Sequence, residues 1–372
     1  MPELCLRHGY DAAAAATICC SRHQRDGLLL TSIVTVVMML AGCSAGTNNE
    51  PGEPGEITIT NCGKDITFPQ PAERIYLNES QLLTIMLELN ADDDIVAVSG
   101  LNSGRREAIK RLYSDQRIND LPLDSEDYPT LENVVADTPD AMLAGKGWGY
   151  SEERNLTPHT LEQYNIPAYT VTLTCPERSA DTPDDLSPWD AVLADIENVG
   201  AITGRKDKAD TISEELSNRI RRLKSAPRDD NKPTVFHVGY FGTNFYSGAA
   251  NSPAHAIIES AGGRNVLGDI DKRSVTGVAW ETIAANDPDV LLIGDRGEGE
   301  QSSFEKKVQA LREHPATSDM TAVQKSRFVR VPYPMLLSTP LAVDASEHLR
   351  NALEEWDLLP DSDIQPEIEL PR

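Results

Sequence analysis

The chain has 372 residues, with 59 acidic and 34 basic side chains and a formal net charge of −25 at pH 7. Such an acidic protein lacks the basic surface that binding to nucleic acid or to an anionic membrane surface requires. Its acidic residues are spread along the chain, which favours a role in solubility or salt adaptation over a binding site.

The first 42 residues have the features of an export signal. An apolar run, Leu28–Ala41, follows a basic stretch; it is too short to span a membrane and has the length of a signal-peptide core. The run ends in Leu40-Ala41-Gly42-Cys43-Ser44, which resembles the lipobox of bacterial lipoproteins. The resemblance implies a lipoprotein signal peptide at 1–42, lipidation of Cys43 and a flexible tether at 43–56. A plain secretory signal and an uncleaved anchor are the alternatives.

Residues 57–203 alternate between strand and helix signals. The predicted strands are Ile57–Thr60, Arg74–Asn78, Asp94–Gly100, Asp140–Gly145 and Ala168–Thr174. Helices are predicted at Ser80–Leu89, from Leu131, from Thr157 to about Asn165 and from Trp189. Strands separated by helices predict a parallel sheet, so this range is expected to be an N-terminal α/β lobe.

The stretch 204–226 is predicted to be one long helix. It has no Gly or Pro between Lys206 and Ser225. Its apolar residues recur at helical spacing and form a single stripe: Ala209, Ile212, Leu216, Ile220 and Leu223.

Residues 227–358 repeat the alternation of strands and helices. Strands are predicted at Thr234–Tyr240, Asp289–Gly294 and Phe328–Val331, and helices after Ser252, at 279–286, near Ser303–Glu313 and near Val343–Trp356. Residues 359–372 are expected to be a C-terminal tail.

One phrase occurs on both sides of the long helix. Thr130–Gly145 and Ala279–Gly294 align at a constant offset of 149 residues and share a Glu, a Pro-Asp pair and a final Gly. The repeat predicts an α/β fold of two Rossmann-like lobes with parallel sheets, joined by a single long helix, with the ligand cleft between them. One larger α/β domain is the alternative.

Two of the six cysteines lie outside the expected signal and its lipidated residue. Cys62 and Cys175 each follow a predicted strand. Since disulfides persist outside the cytosol, we expect these two residues to form one. Two buried free thiols are the alternative.

Aromatic and cationic side chains are concentrated at predicted strand ends. In open parallel sheets, ligands bind outside the carboxyl ends of the strands. The candidate ligand-binding residues are Arg105, Arg106, Lys146, Trp148, Tyr150, Tyr240, Tyr246 and Arg296. Aromatic walls with a few cations suit a bulky, partly apolar, anionic ligand.

Motifs for catalysis are not found in the sequence. The spacing G-x-S-x-G occurs once, in Gly42-Cys43-Ser44-Ala45-Gly46 of the lipobox-like stretch, and not in the expected lobes. There is no Walker-type loop, H-E-x-x-H or C-x-x-C. His237 falls in a predicted strand, where a core position is expected, and the remaining histidines do not form a metal-ligand pattern. We therefore expect no enzyme activity, no cofactor and no protein-bound metal.

With these features in place, the chain resembles the solute-binding proteins of ABC importers, in the class that serves iron–siderophore, heme and cobalamin uptake. The phrases that carry the resemblance are Pro71-Ala72-Glu73-Arg74-Ile75, the segment Glu259–Val266, and Trp280-Glu281 with Pro288-Asp289. The resemblance implies limited lobe closure, a small-molecule chelate as ligand, and a permease dimer with a cytoplasmic ATPase as partner.

The ligand expected from the sequence is an iron–siderophore complex, because Arg105 and Arg106 favour an anion. Heme, with a Tyr or His reaching the iron, and cobalamin, with aromatics and fewer cations, are the alternatives within the class. Outside the class, an exported enzyme of similar shape or a structural protein of the envelope would be the alternative. The expected location is the extracytoplasmic face of the cell membrane, held there by lipid.

The repeated phrase also contains the residues expected to dock to the permease. In the family that the chain resembles, one surface Glu from each lobe forms salt bridges with arginines of the permease. Matching by motif position places those roles on Glu132 and Glu281. Stabilising a helix N-terminus is the local alternative for both residues.

Overall fold

The computed structural model describes residues 55–175, 186–239, 244–270, 272, 274–297 and 303–370. These residues belong to one compact unit. The expected signal peptide, Cys43 and nearly all of the tether lie outside the described residues, as does Tyr240.

The first lobe is a parallel sheet with its helices, preceded by an antiparallel hairpin of β1 (Glu56–Asn61) and β2 (Lys64–Pro69). The sheet strands are β3 (Ile75–Asn78), β4 (Ile95–Ser99), β5 (Leu123–Ser125), β6 (Ala141–Ala144) and β7 (Ala168–Thr170). Their order is β5-β4-β3-β6-β7, and all pairs are parallel. The helices are α1 (Glu79–Glu88), α2 (Ser103–Lys110), α3 (Asp115–Asn119), α4 (Leu131–Ala136), α5 (Pro158–Glu162) and α6 (Pro188–Ile202), and α7 (Lys206–Ser225) follows as the connection to the second lobe. This order puts the topological switch point between β3 and β6.

The second lobe repeats this plan with a smaller sheet. Its strands are β8 (Thr234–Val238), β9 (Phe245–Gly248), β10 (Arg264–Asn265), β11 (Ser274–Val278), β12 (Val290–Asp295) and β13 (Phe328–Pro332). The order β10-β8-β12-β13 is parallel throughout, while β9 and β11 form a separate antiparallel pair. The helices are α8 (Pro253–Ala261), α9 (Trp280–Asn286), α10 (Phe304–Glu313), α11 (Thr321–Gln324) and α12 (Ala342–Glu355). The prediction of an α/β fold with two parallel sheets is confirmed.

Helix α7 lies between the two sheets in the chain and packs on α6, α8 and α12. Its close approach to α6 depends on Gly200, since a Cβ there would lie 2.3 Å from the Cβ of Ala209. Buried Arg219 ties α7 to α12 through ion pairs with Glu347 at 2.5 Å and Asp344 at 2.9 Å. The apolar stripe predicted for this helix faces the core, with Ile212 only half buried.

Several predicted boundaries differ from the structure. The strand from Ala168 ends at Thr170, because the carboxylate of buried Asp195 accepts hydrogen bonds from the N–H and hydroxyl of Thr172 and a short 3-10 turn follows. The predicted C-terminal tail packs on α12: Leu359 and Ile364 are buried, and Asp344 accepts the N–H of Ile368 at 3.0 Å.

Candidate functional site

A cavity of about 610 Å³ lies between the carboxyl ends of the two sheets. Its walls come from residues at or after the carboxyl ends of the strands of both sheets. The first lobe contributes Glu79 after β3, Arg105 after β4, Trp148 after β6 and Thr174 after β7; the second contributes His237 and Gly239 at the end of β8, Arg296 after β12 and Tyr333 after β13.

Arg105, expected only to follow a strand end, lies in the first turn of α2, whose N-terminus is capped by the side chain of Asn102. Its guanidinium pairs with Glu79 at 3.1 Å and donates to the hydroxyl of Tyr128 at 3.1 Å. Burial raises the pKa of Glu79 above its usual value, although the charge of Arg105 and the hydroxyl of Tyr128 act against this rise. Glu79 also has a left-handed backbone, φ 72°, directly after β3, which a non-glycine residue adopts at an energetic cost. The cation is therefore fixed and neutralised by its partner.

Trp148 stands at the mouth of the cavity with 56% of its surface exposed. The turn that carries it is held by Arg154, whose Nη2 donates to the carbonyls of Trp148 at 2.7 Å and Gly149 at 2.9 Å. The same guanidinium lies over the ring of Tyr128, which contacts Trp148 at 5.9 Å between centroids. A large aromatic face is thus exposed on a braced turn, an arrangement that suits stacking on a flat ligand.

The opposite wall is also aromatic. Arg296 lies 3.8 Å above the ring of Tyr333, and Phe245 packs edge-on to Trp280. Tyr246 is 37% exposed and faces the cavity from β9. Among the described residues of the wall, the charged side chains are Glu79, Arg105 and Arg296.

Three candidates from the sequence lie away from the cavity. Arg106 pairs with Glu126 at 3.4 Å on the outer side of α2. Lys146 is exposed, and only its backbone N–H is fixed, by the hydroxyl of Thr174. Tyr150 is buried, because its hydroxyl donates to the carbonyls of Met142 and Tyr169. Proximity to a strand end could not show which way these side chains point.

The structure also adds residues that the sequence did not single out. His237 lines the cavity although its strand position indicated the core, and Gln81 and Leu336 contribute to the wall from α1 and from the turn after β13. The signal that was available for His237 was its place one residue before the end of β8.

Beside the cavity, one carboxylate joins the two lobes. Asp295, at the end of β12, is fully buried and pairs with Arg330 of the neighbouring strand β13 and with Arg111 at the end of α2. These two cations and the N–H of Gly297 lower the pKa of Asp295 against the effect of burial.

Glu132 and Glu281 are both exposed, one in each lobe, and neither has an ion-pair partner within the described ranges. Each lies in the first turn of the helix that precedes a sheet strand. Because such a helix runs antiparallel to its strand, its first turn lies at the carboxyl end of the sheet, on the side of the cavity. The cap of α4 is formed by Thr130 and Asn133. Interactions with its own backbone N–H and with the hydroxyl of Thr130 lower the pKa of Glu132, so this carboxylate also has a local contact at the helix N-terminus.

Cys62 follows the first strand of the hairpin and Cys175 follows the 3-10 turn after β7. Their Cα atoms are 5.3 Å apart and their sulfurs are within bonding distance at 2.03 Å. Within the described ranges, no helix is long and apolar enough to cross a bilayer. No group of three His, Cys, Asp or Glu side chains there is placed to hold a metal ion.

Comparison with known proteins places this architecture in a family. A protein named cobalamin-binding protein from Halobacterium salinarum is 25% identical over 233 residues, which are 62% of this chain and 56% of that protein's length. A crystal structure titled as an ABC-type Fe3+-hydroxamate transport system, from Saccharomonospora viridis, is 25% identical, covers 80% of this chain and 98% of its own, and has a TM-score of 0.64. A periplasmic heme-binding protein from Vibrio cholerae, 16% identical, shares the fold with a TM-score of 0.58 over 75% of this chain and 98% of its own.

The family model described as periplasmic binding protein matches residues 75–334. This range begins at the first strand of the first parallel sheet and ends in the turn after the last strand of the second, so it includes the wall residues of both lobes up to Tyr333. The chain belongs to the periplasmic binding protein family.

Proposed function

We propose that the chain is the lipid-anchored, extracytoplasmic solute-binding component of an ABC importer, and that it captures a bulky, weakly charged metal chelate, a corrinoid, for delivery to a permease. An iron–siderophore complex of the hydroxamate type is the second candidate. The observation that carries the proposal is the charge balance of an otherwise aromatic cavity.

The cavity wall has fewer unpaired cations than the sequence indicated. The siderophore expectation relied on Arg105 and Arg106 as free cations. Arg106 lies outside the cavity and Arg105 is paired with Glu79, which leaves Arg296 as the cation of the described wall without a carboxylate partner there. A chelate with several negative charges would be desolvated in such a cavity without matching cations. A neutral or nearly neutral chelate with a large flat face fits better.

The comparisons support both candidates to different degrees. The Halobacterium relative carries the name cobalamin-binding protein, but this chain spans only 56% of its length. The Saccharomonospora structure matches along 98% of its chain and is titled for Fe3+-hydroxamate transport. Heme, which calls for a Tyr or His ligand to the iron, has less support, since the hydroxyl of the candidate residue Tyr150 donates to two backbone carbonyls.

The importer partner is supported by the family and by the two exposed glutamates. Glu132 and Glu281 give each lobe one carboxylate on the side of the cavity, as a receptor needs if it is to present its open side to a two-fold permease. Rim charges of this kind mainly set the encounter rate and the orientation of the two partners. The lipid anchor is supported by the lipobox-like sequence at Cys43.

The test is to identify and rank the ligands. Native mass spectrometry of protein purified from its own host is expected to show a bound corrinoid. Titration calorimetry with cyanocobalamin, a ferric tris-hydroxamate and hemin is expected to rank cyanocobalamin first. A tighter ferric tris-hydroxamate would overturn the corrinoid proposal and favour the second candidate, and tight binding of hemin alone would overturn both.

A further inference from the structure

His237 is a buried polar side chain in the wall of the cavity, and the fold uses only one of its two ring nitrogens. It lies in β8, is 7% exposed and borders the cavity. Its Nδ1 accepts a hydrogen bond from the backbone N–H of Gly248 at 3.0 Å, and its carbonyl accepts one from the hydroxyl of Ser247 at 2.7 Å. Strand β9 therefore fixes both the imidazole ring and the backbone that carries it.

This contact determines where the ring carries its proton. A ring nitrogen that accepts an N–H is unprotonated, so the proton of the neutral imidazole lies on Nε2. Among the described residues, none accepts a hydrogen bond from that Nε2–H. Nε2 is not one of the fully buried polar atoms of the described residues that lack a partner, so it is accessible from the cavity, where a ligand or water can accept its hydrogen bond.

The surroundings keep the ring neutral. Burial, with smaller contributions from Lys307 and Arg296, lowers the pKa of His237 to about 3. Lys307, in α10, donates to the carbonyl of Gly294 at 2.6 Å. Tyr246, in β9, lines the same cavity as His237. Protonation of the ring would also set a second N–H against the N–H of Gly248.

We propose that His237 donates its Nε2–H to an oxygen acceptor of the bound ligand, an amide carbonyl, and that it does not coordinate the ligand's metal. Coordination through Nε2 would require the proton to move to Nδ1, where it would face the N–H of Gly248. The neighbouring wall residues Phe245, Pro253 and Ala254 are apolar, so a neutral acceptor suits this place. The inference rests on the proposed function, because the rim of a corrin ring carries amide groups.

Two substitutions separate the two sides of the ring. His237→Asn places an oxygen where Nδ1 was and nothing where Nε2 was; His237→Gln places an amide nitrogen near Nε2 and nothing at Nδ1. We expect the Asn variant to bind cyanocobalamin about tenfold more weakly while unfolding near the wild-type temperature. The Gln variant should be less stable and bind within about threefold of wild type. If affinity instead follows stability, with Gln the weaker binder, His237 is only a structural residue and the proposal is wrong.

Two further measurements do not depend on that comparison. In ¹⁵N-histidine-labelled protein, NMR is expected to show the Nε2–H tautomer without titration from about pH 5 to about pH 8. An Nδ1–H tautomer or an imidazolium signal in that range would overturn the proposal. Aquacobinamide should bind without the absorption shift that imidazole coordination causes, and such a shift would also overturn it. If neither cyanocobalamin nor a ferric tris-hydroxamate binds the wild-type protein, the proposed function fails and the tautomer measurement still decides whether His237 presents this donor.

Discussion

Asp140 and Asp289 hold equivalent positions in the two sheets, and each carboxylate accepts a hydrogen bond from the backbone at the start of the first parallel strand of its own sheet. Oδ2 of Asp289 accepts the N–H and the hydroxyl of Thr234, both at 2.8 Å. Oδ2 of Asp140 accepts the N–H of Glu73 at 3.2 Å, two residues before β3. The repeated Pro-Asp dipeptide therefore joins the strand it precedes, β6 or β12, to the central strand beside it.

Replacing these carboxylates should destabilise the protein unequally. We expect Asp289→Ala to lower the free energy of unfolding by about 1–3 kcal/mol, since two donors lose their acceptor, and Asp140→Ala to lower it by less. Asp289→Asn keeps an acceptor oxygen and serves as the control, with a smaller loss. Urea unfolding followed by circular dichroism measures all three, and an equal loss in both Ala variants would contradict the two-donor explanation.

The cysteine pair gives a second prediction. Non-reducing peptide mapping of exported protein should recover Cys62 and Cys175 in one linked peptide. Because the bond closes a loop with a sequence separation of 113 residues, its removal in the double Ser variant should lower the free energy of unfolding. In the chain-entropy account the loss is up to about 4–5 kcal/mol. Two thiols that alkylate freely in the native protein would show that the bond does not form.

Asp195 predicts a dependence of stability on pH. It is fully buried, and burial raises the pKa of its carboxyl to about 6, against the hydrogen bonds of Thr172 and Tyr169. The folded state then holds this proton more tightly than the unfolded state. The resulting stabilisation is present below about pH 4 and is lost as the pH rises through about 6.

In Asp195→Asn this contribution disappears, since the amide imitates the protonated acid. The difference in unfolding free energy between wild type and variant should change by about 3 kcal/mol between about pH 4 and about pH 7.5, and the variant should gain at the higher pH. Asp190→Asn, at an exposed position of the same helix, is the control. Parallel pH curves for wild type and Asp195→Asn would exclude this explanation.

Trp148 and Arg154 give a prediction for binding. Loss of the exposed ring in Trp148→Ala should weaken binding of cyanocobalamin about three- to tenfold, because stacking of aromatic faces is lost. Arg154→Lys removes the fork that holds the carbonyls of Trp148 and Gly149 and should give a smaller loss, with a red shift of tryptophan emission. Arg106→Lys, away from the cavity, should bind as wild type does. Unchanged affinity in Trp148→Ala would remove this residue from the site.

The docking proposal is tested by charge reversal. Glu132→Arg combined with Glu281→Arg should abolish transport, because the new arginines would repel the arginines of the permease. Ligand affinity in solution should stay nearly unchanged, because neither position lines the cavity. The matched control is Glu162→Arg with Glu313→Arg, which changes the charge equally at the last turns of α5 and α10. Uptake at the wild-type rate in the first double variant would leave both glutamates with a local role only.

Much of the fold could be predicted because the strands, the helices and the repeat each show in the spacing of apolar residues, Gly and Pro over short stretches of sequence. The long helix predicted over 204–226 is observed from Lys206 to Ser225, since its apolar spacing is not interrupted by Gly or Pro. The boundary at Thr170 was not, because the residue that ends the strand, Asp195, is far away in sequence. At such strand ends, a contact with a residue that is distant in sequence overrides the β-propensity of the local segment.

The cavity was predictable in position and only partly in composition. Parallel strands bring their carboxyl ends to one edge, so Arg105, Trp148 and Arg296 could be expected near one another. Tyr246 reaches the same cavity from β9, in the separate antiparallel pair. The direction of a side chain after a strand depends on the turn that follows it. Tyr150 points inward because Met142 and Tyr169 offer carbonyls to its hydroxyl, which no spacing rule indicates.

The double pairing of Asp295 has a consequence for motion of the lobes. Breaking a buried ion pair is usually expensive because it leaves one charge without compensation. Here a separation of the lobes would remove Arg111, which belongs to the first lobe, and leave Arg330, which belongs to the same sheet as Asp295. The carboxylate keeps a cationic partner in either arrangement. The Asp295–Arg111 contact can therefore form when the lobes approach and break when they separate, without leaving Asp295 as an uncompensated buried charge.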